Sequence, residues 1–283
     1  VVREVQALTD GGYREVVVTG VQISEYDDGR HRLFDVASAL LERTTAPRIR
    51  LTSLAPWRFD DRLIDLWQDP RLCRHIHMSL QSGCTATLSR MRRPYSADEY
   101  EALAERLRQR IPGLALTTDV IIGFPGECDE EFEQSLAFVE RLAFAKPHLF
   151  TYSPRPGTRA ARLPNMVEPA VKKERMGRMQ AVAAESERAF WRGCVGETVG
   201  VVWDGERHGR WTGLTDHYVR VFAEAGPEPV PIGELGLVKV VRVEDRGVTA
   251  RRLESSTAEL VPRAPEMPPR REPEARSPLH VLA

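Results

Sequence analysis

The 283-residue sequence predicts an α/β fold with a parallel sheet, followed by a small all-β barrel. Three observations carry this. Over the first 155 residues, short runs rich in β-branched residues alternate with longer helix-like stretches, the pattern of βα units. Polar and glycine-rich segments stand just after each run, where a barrel would gather them on its C-terminal rim. Past residue 193 the pattern changes to short strands separated by turn residues.

Taken in order, Val1 to Leu8 reads as an amphipathic helix closed by Asp10-Gly11-Gly12. Glu15 to Gly20 is an apolar β-branched run, the mark of a buried parallel strand. Phe34 to Arg43 follows as a helix and Arg48 to Leu54 as the second strand. A helix opens at Asp60 and stops at Asp69-Pro70, and His75 to Gln81 is the third strand. Thr85 to Met91 and Ser96 to Arg110 read as helices, the second opened by a capping box of Ser96 and Glu99. Leu114 to Ile122 is the fourth strand, Asp129 to Leu142 a helix with an acidic first turn, and Pro147 to Tyr152 the fifth strand. Pro169 to Trp191 is one long helix in which Met176, Met179, Ala183 and Phe190 form a packing stripe under a basic outer face. Five short strands follow between Thr198 and Leu253, and the proline-rich residues 256–283 are expected to be a disordered tail.

The net charge of −1 announces no polyanion partner for the whole chain. Residues 155–192 nevertheless carry nine Lys and Arg against four Asp and Glu, while residues 193–255 carry eight against ten. Arg155, Arg159, Arg162, Lys172, Lys173, Arg175 and Arg178 make that block, suited to contacting phosphates without reading bases. The longest apolar runs fall far short of the ~20 residues that span a bilayer, and no secretory signal pattern opens the chain. A cytoplasmic location is expected, without a membrane partner. Cys73, Cys84, Cys128 and Cys194 are spaced as no zinc ribbon, CxxC pair or cluster motif is, and packing roles are expected for them, with no metal bound. His75 and His77 share one strand face, but no third ligand stands beside them, and structural roles are expected.

The loop sequences narrow the function. VVVTGVQI (16–23), RIRLTSLAPW (48–57), HIHMSLQSG (75–83), LSRMRRPYS (88–96), TTDVIIGFPGE (117–127) and FTYSPRPGT (150–158) occur in this order. Together they resemble the radical S-adenosylmethionine (SAM) methylthiotransferases that modify adenosine 37 of tRNA. VGETVGVVWDG (195–205) and GLTDHYVRV (213–221) resemble the TRAM domain that ends those enzymes. The resemblance implies an incomplete (β/α)6 radical SAM barrel over 1–165 lacking its first strand and cluster loop. A basic linker helix over 166–192 and a TRAM-like RNA-binding β-barrel over 193–255 would follow. RLTSLAPW and TTDVIIGFPGE look most like the branch acting on N6-threonylcarbamoyladenosine. The family's three N-terminal cysteines and its CxxxCxxC motif are not in this sequence, so the chain looks like the C-terminal part of a longer protein, or the product of a misplaced start, inactive by itself.

The resemblance also implies roles. Thr19 and Gly20 would meet the amino group of SAM, Gln81 and Ser82 its ribose and carboxylate, Asp119 and Gly123 its adenine, with Ser153 closing the last strand. Arg92 and Arg93 would clamp the SAM carboxylate or a tRNA phosphate, or form a solvated helix end. Asp119 would equally serve as a capped core carboxylate. The cofactors implied are SAM and 4Fe-4S clusters, and the partner is the tRNA anticodon stem-loop, not DNA. Arg155, Arg159, Lys172, Lys173 and Arg175 would contact RNA phosphates, and Tyr218, Trp211 and Phe222 would stack on loop bases. A methylthiotransferase for isopentenyladenosine tRNA or a ribosomal protein, and a non-catalytic RNA-binding remnant, remain as alternatives. Oligomeric state is not legible.

Overall fold

The structure, a computed structural model, describes residues 1–225 and 230–253. The expected proline-rich tail lies outside the described residues. Helix α1 (Val2–Asp10) leads into β1 (Glu15–Val18), and the alternation continues through α2 (Leu33–Arg43), β2 (Arg48–Leu51), α3 (Asp61–Asp65) and β3 (His75–His77). α4 (Thr85–Arg90) and α5 (Ala97–Arg110) precede β4 (Ala115–Ile122), and α6 (Asp129–Leu142) precedes β5 (Lys146–Thr151). β1 pairs with β2, and β3, β4 and β5 pair in sequence, all parallel. Parallel bridges Ile49–Leu72 and Leu54–Met78 join the two groups. Consecutive βα connections thus build one parallel sheet with helices packed against it.

Side-chain alternation divides the strands between two environments. Ile49, Leu51, Ile76, Met78, Leu116 and Val120 enter the core shared with the helices. Their neighbours Arg48, Arg50, His75, His77, Thr117 and Asp119 therefore occupy the inner face. The expected capping box is present at α5: Ser96 Oγ accepts from the Glu99 amide at 3.1 Å, and the Glu99 carboxylate accepts from the Ser96 amide at 2.7 Å.

The long helix α7 (Pro169–Gly193) contributes Met179 to this first core and Trp191 to a second. That second core fills a closed barrel of β6 (Thr198–Arg207), β7 (Arg210–Thr215), β8 (Arg220–Glu224), β9 (Leu235–Glu244) and β10 (Gly247–Arg252), in the order β10-β8-β7-β6-β9. Val201, Trp203, Val221, Val238 and Val248 meet inside it. Closure leaves no free edge among these strands.

Candidate functional site

The C-terminal ends of the parallel strands surround two adjoining cavities. One, about 250 Å³, is lined by Ser53, Trp57, His77, Ser79 and residues of the β1–α2 loop. The other, about 550 Å³, is lined by Ile121, Phe150, Ser153, Arg155 and Thr158. Gln81, Arg93 and Asp119 line both, which makes them one basin. Ser53 and Gln81 hold φ of 63° and 70°, a left-handed conformation costly for residues other than glycine. Such strain at the ends of two neighbouring strands is the kind that persists at ligand sites. Backbone bonds fix Gln81 in place: its amide donates to Asp119 O at 2.8 Å, and its carbonyl accepts from Ile121 N at 2.9 Å.

The basin is polarised. Burial opposes ionisation of Asp119, but Ser79 Oγ at 2.7 Å and His77 Nε2 at 3.2 Å hold its carboxyl below the usual range. Arg93 has no ion-pair partner among the described residues, and its buried Nε has no hydrogen-bond partner. Sequence reasoning left Arg93 open between clamp and solvated end and gave Ser79 no role; here both converge on the Asp119 basin. The signal for Arg93 was its place just past the end of α4, directly before Pro94.

Of the residues expected to bind cofactor, the structure brings Gln81, Asp119 and Ser153 together in this basin. Thr19 and Gly20 line a neighbouring cleft of about 530 Å³, continuous with the basin through Val21 and Gln22. Two residues lie elsewhere. Ser82 is buried beneath the rim, where its hydroxyl accepts from the Cys84 amide at 3.2 Å. Gly123 is covered by Lys172, whose Cγ would lie 2.5 Å from an added Cβ. The reason is the Gly123-Phe-Pro-Gly-Glu127 loop itself: the Glu127 carboxylate folds back to accept from the Gly123 amide at 3.0 Å. Burial pushes the Glu127 carboxyl up, against the pull of that amide and of Arg175.

Arg175 is the partner that balances Glu127. Only 3% exposed, it binds the Glu127 carboxylate at 2.8 Å and Asp129 at 2.7 Å, which ties α7 to the β4–α6 loop. This corrects the expectation that Arg175 faces RNA; it is interior to the fold. Arg178 pairs with Glu133 at 2.6 Å. Arg155, Arg159 and Lys173 are exposed, and Lys172 lies over the Tyr152 ring beside the basin.

The expectation for Trp211 is corrected as well. Trp211 is 4% exposed and belongs to the second core. Tyr218 stacks on His75 with centroids 5.1 Å apart, and the Arg50 guanidinium lies 4.9 Å over its ring. It sits in the β7–β8 loop, which closes the N-terminal mouth of the sheet. There Arg50 donates to Asp216 O at 2.8 Å and Thr215 O at 3.2 Å, while Arg74 binds the Asp216 carboxylate at 2.7 Å. Glu15 neutralises Arg48 at 2.6 Å and Arg50 at 2.7 Å. One face of Tyr218 is thus packed between the two cores, at the opposite end of the strands from the basin, while the residue stays 47% exposed.

Among the described residues no group of three or more His, Cys, Asp or Glu is placed to hold a metal ion. Cys73, Cys84 and Cys194 are buried apart and Cys128 is exposed, so these thiols do not fit a cluster site. The basin does fit a zwitterionic nucleoside such as SAM: a cation at Arg93, a carboxylate at Asp119, and uncharged polar groups at Gln81 and Ser153. Among the described residues no helix is long and apolar enough to cross a membrane.

Comparison with known proteins agrees with this geometry. Residues 1–139 match the radical SAM superfamily. The chain is 38% identical over 211 residues to a tRNA-2-methylthio-N(6)-dimethylallyladenosine synthase from Anoxybacillus flavithermus, covering 73% of this chain and 40% of that protein. It is 32% identical over 252 residues to a threonylcarbamoyladenosine tRNA methylthiotransferase from Bacillus subtilis, covering 86% of this chain and 55% of that one. The chain therefore spans about half the length of these relatives. In structure it is similar to coproporphyrinogen III oxidase from Escherichia coli, a radical SAM enzyme, with a TM-score of 0.50 and 16% identity over 61% of this chain and 40% of that one. At that identity the likeness concerns the fold alone. The inner-face basin on a curved parallel sheet, the superfamily match and the sequence relatives agree: residues 1–139 belong to the radical SAM superfamily, in a chain similar in sequence to tRNA methylthiotransferases.

Proposed function

We propose that this chain is the SAM-binding and RNA-contacting portion of a tRNA methylthiotransferase acting at C2 of N6-threonylcarbamoyladenosine 37, in the anticodon stem-loop. The observation that carries the reading is the basin where Arg93, Asp119 and Gln81 converge. Arg93 suits the carboxylate of SAM through charge-assisted hydrogen bonds. Asp119, kept ionised by Ser79 and His77, accepts from a hydroxyl or ammonium group. Bound SAM supplies the methyl and deoxyadenosyl groups, and the protein binds and orients. The described residues supply no cluster ligands, and their part is binding and orientation alone.

Arg155, which lines the basin, and the exposed Arg159 and Lys173 suit tRNA phosphates, with the C-terminal barrel read as a TRAM-like unit. The 252-residue match to a threonylcarbamoyladenosine enzyme supports the threonylcarbamoyl substrate, and the 38% identity to a dimethylallyladenosine enzyme keeps the dimethylallyl substrate as the alternative. Nucleoside mass spectrometry of tRNA from a strain lacking the gene tests this. Loss of 2-methylthio-N6-threonylcarbamoyladenosine is expected. Loss of the dimethylallyl derivative instead would transfer the assignment to the other substrate, and an unchanged nucleoside profile would refute both.

A further inference from the structure

The inner face carries a line of polar side chains that substrate binding does not account for. His75 Nε2 lies 3.1 Å from Thr117 Oγ1, and the same oxygen lies 3.0 Å from His77 Nδ1. His77 Nε2 lies 3.2 Å from Asp119 Oδ2, in the basin. The remaining ring nitrogen, His75 Nδ1, is buried and without a partner, on a residue 5% exposed.

Donor and acceptor counting orients the whole line. Asp119 is ionised and only accepts, so His77 carries its proton on Nε2 and offers a bare lone pair at Nδ1. Thr117 has one hydroxyl proton, and His77 Nδ1 takes it. Thr117 then accepts from His75, whose proton must stand on Nε2. That leaves His75 Nδ1 as a bare acceptor, which agrees with its lack of any donor. Burial and the adjacent Arg50 hold His75 neutral, far below the ordinary histidine range.

We propose that His75, Thr117 and His77 are a proton relay ending on Asp119, loaded to deliver one proton to the basin. A proton taken at His75 Nδ1 from a solvent water, which leaves as hydroxide, releases the Nε2 proton to Thr117 Oγ1. Thr117 passes its own to His77 Nδ1, and His77 Nε2–H passes to Asp119 Oδ2. One proton enters and one reaches the carboxylate. No electrons move, and both rings finish as Nδ1–H tautomers. Once Asp119 has passed that proton to a bound ligand, a later withdrawal of a proton from a ligand by the carboxylate runs the steps backwards and restores the first arrangement. Thr117 and His75 are positioning residues and touch no ligand. The charged and titratable groups facing the line are Glu15 from β1, Arg50 from β2, His148 from β5, and His217 and Tyr218 from the β7–β8 loop. The inference rests on the proposed function only in taking the basin as a ligand site.

The test is nitrogen-15 NMR on the ligand-free chain, with histidine signals assigned through His75→Gln and His77→Gln. Nε2–H tautomers are expected for both rings at neutral pH. Exchange of the His77 Nε2 proton with water should slow by about tenfold in Thr117→Val, the scale of one lost hydrogen bond, and recover in Thr117→Ser. An Nδ1–H tautomer at His77 in the unmodified chain overturns the relay, and so does an exchange rate that Thr117→Val leaves unchanged. Neither readout involves SAM or tRNA, so it stands or falls separately from the nucleoside assay.

Discussion

Arg175 and Lys173 stand two residues apart on α7 and meet opposite fates. At 100° per residue they point to opposite sides of the helix. Arg175 lies four residues before Met179 and eight before Ala183, in the row that packs inward, and Glu127 and Asp129 neutralise it there. Lys173 is exposed. Replacing Arg175 with Met strands a buried carboxylate and should cost about 3–5 kcal/mol in urea unfolding. Lys173→Ala should stay within about 0.5 kcal/mol. Equal effects of the two changes would contradict the buried pair.

At the scale of elements, the β7–β8 loop and α7 join the two cores. Arg50 holds the loop through two backbone carbonyls, and Tyr218 packs against His75 beneath it. Tyr218 itself holds φ of 65°, a strain kept by those contacts. Tyr218→Ala should therefore raise hydrogen exchange of the amides at 215–219 and leave the salt dependence of tRNA binding unaltered. The triple change of Arg155, Arg159 and Lys173 to Ala should do the reverse: weaker binding at ~100 mM salt and a slope of log K against log salt shallower by up to about 2. Filter binding over a salt series separates the two. A slope moved by Tyr218→Ala and not by the triple change would place the RNA contact on the wrong element.

For the whole molecule, the seam between the cores sets the response to acid. His217 is 3% exposed, packs on the Phe190 ring of α7, and has its pKa lowered by burial to about 4. The unfolded chain keeps the ordinary value of 6.5, so below it the unfolded state binds the extra proton. Stability is therefore full above pH 6.5 and is lost as pH falls towards 4. Buried His75 adds in the same direction, and so does Asp216 at lower pH, since its ionised form is the one held in the fold. Urea unfolding should show a loss on the order of 3 kcal/mol from His217 across this window, and His217→Phe should flatten the curve. A pH-independent midpoint between 7 and 4 would contradict the buried neutral ring.

The strand and helix order, the parallel sheet, the second all-β barrel and the rim position of the site were legible in the linear pattern. Each rests on period, turn residues and spacing, which are local properties. Resemblance of the rim loops pointed to the family for the same reason, because those loops are contiguous segments. That Arg175 finds carboxylates to neutralise it inside the fold, and that the loop carrying Tyr218 closes the mouth of the sheet, depended on partners 46 and 143 residues away, Asp129 and His75. The inner-face line from His75 to Asp119 is likewise a product of register. Pairing of His75 with Ala115 and of His77 with Thr117 places the histidines beside Thr117, and alternation turns all of them away from the helices. A slip of one residue would bury this line in the apolar core, so local pattern named the residues and strand register alone brought them together.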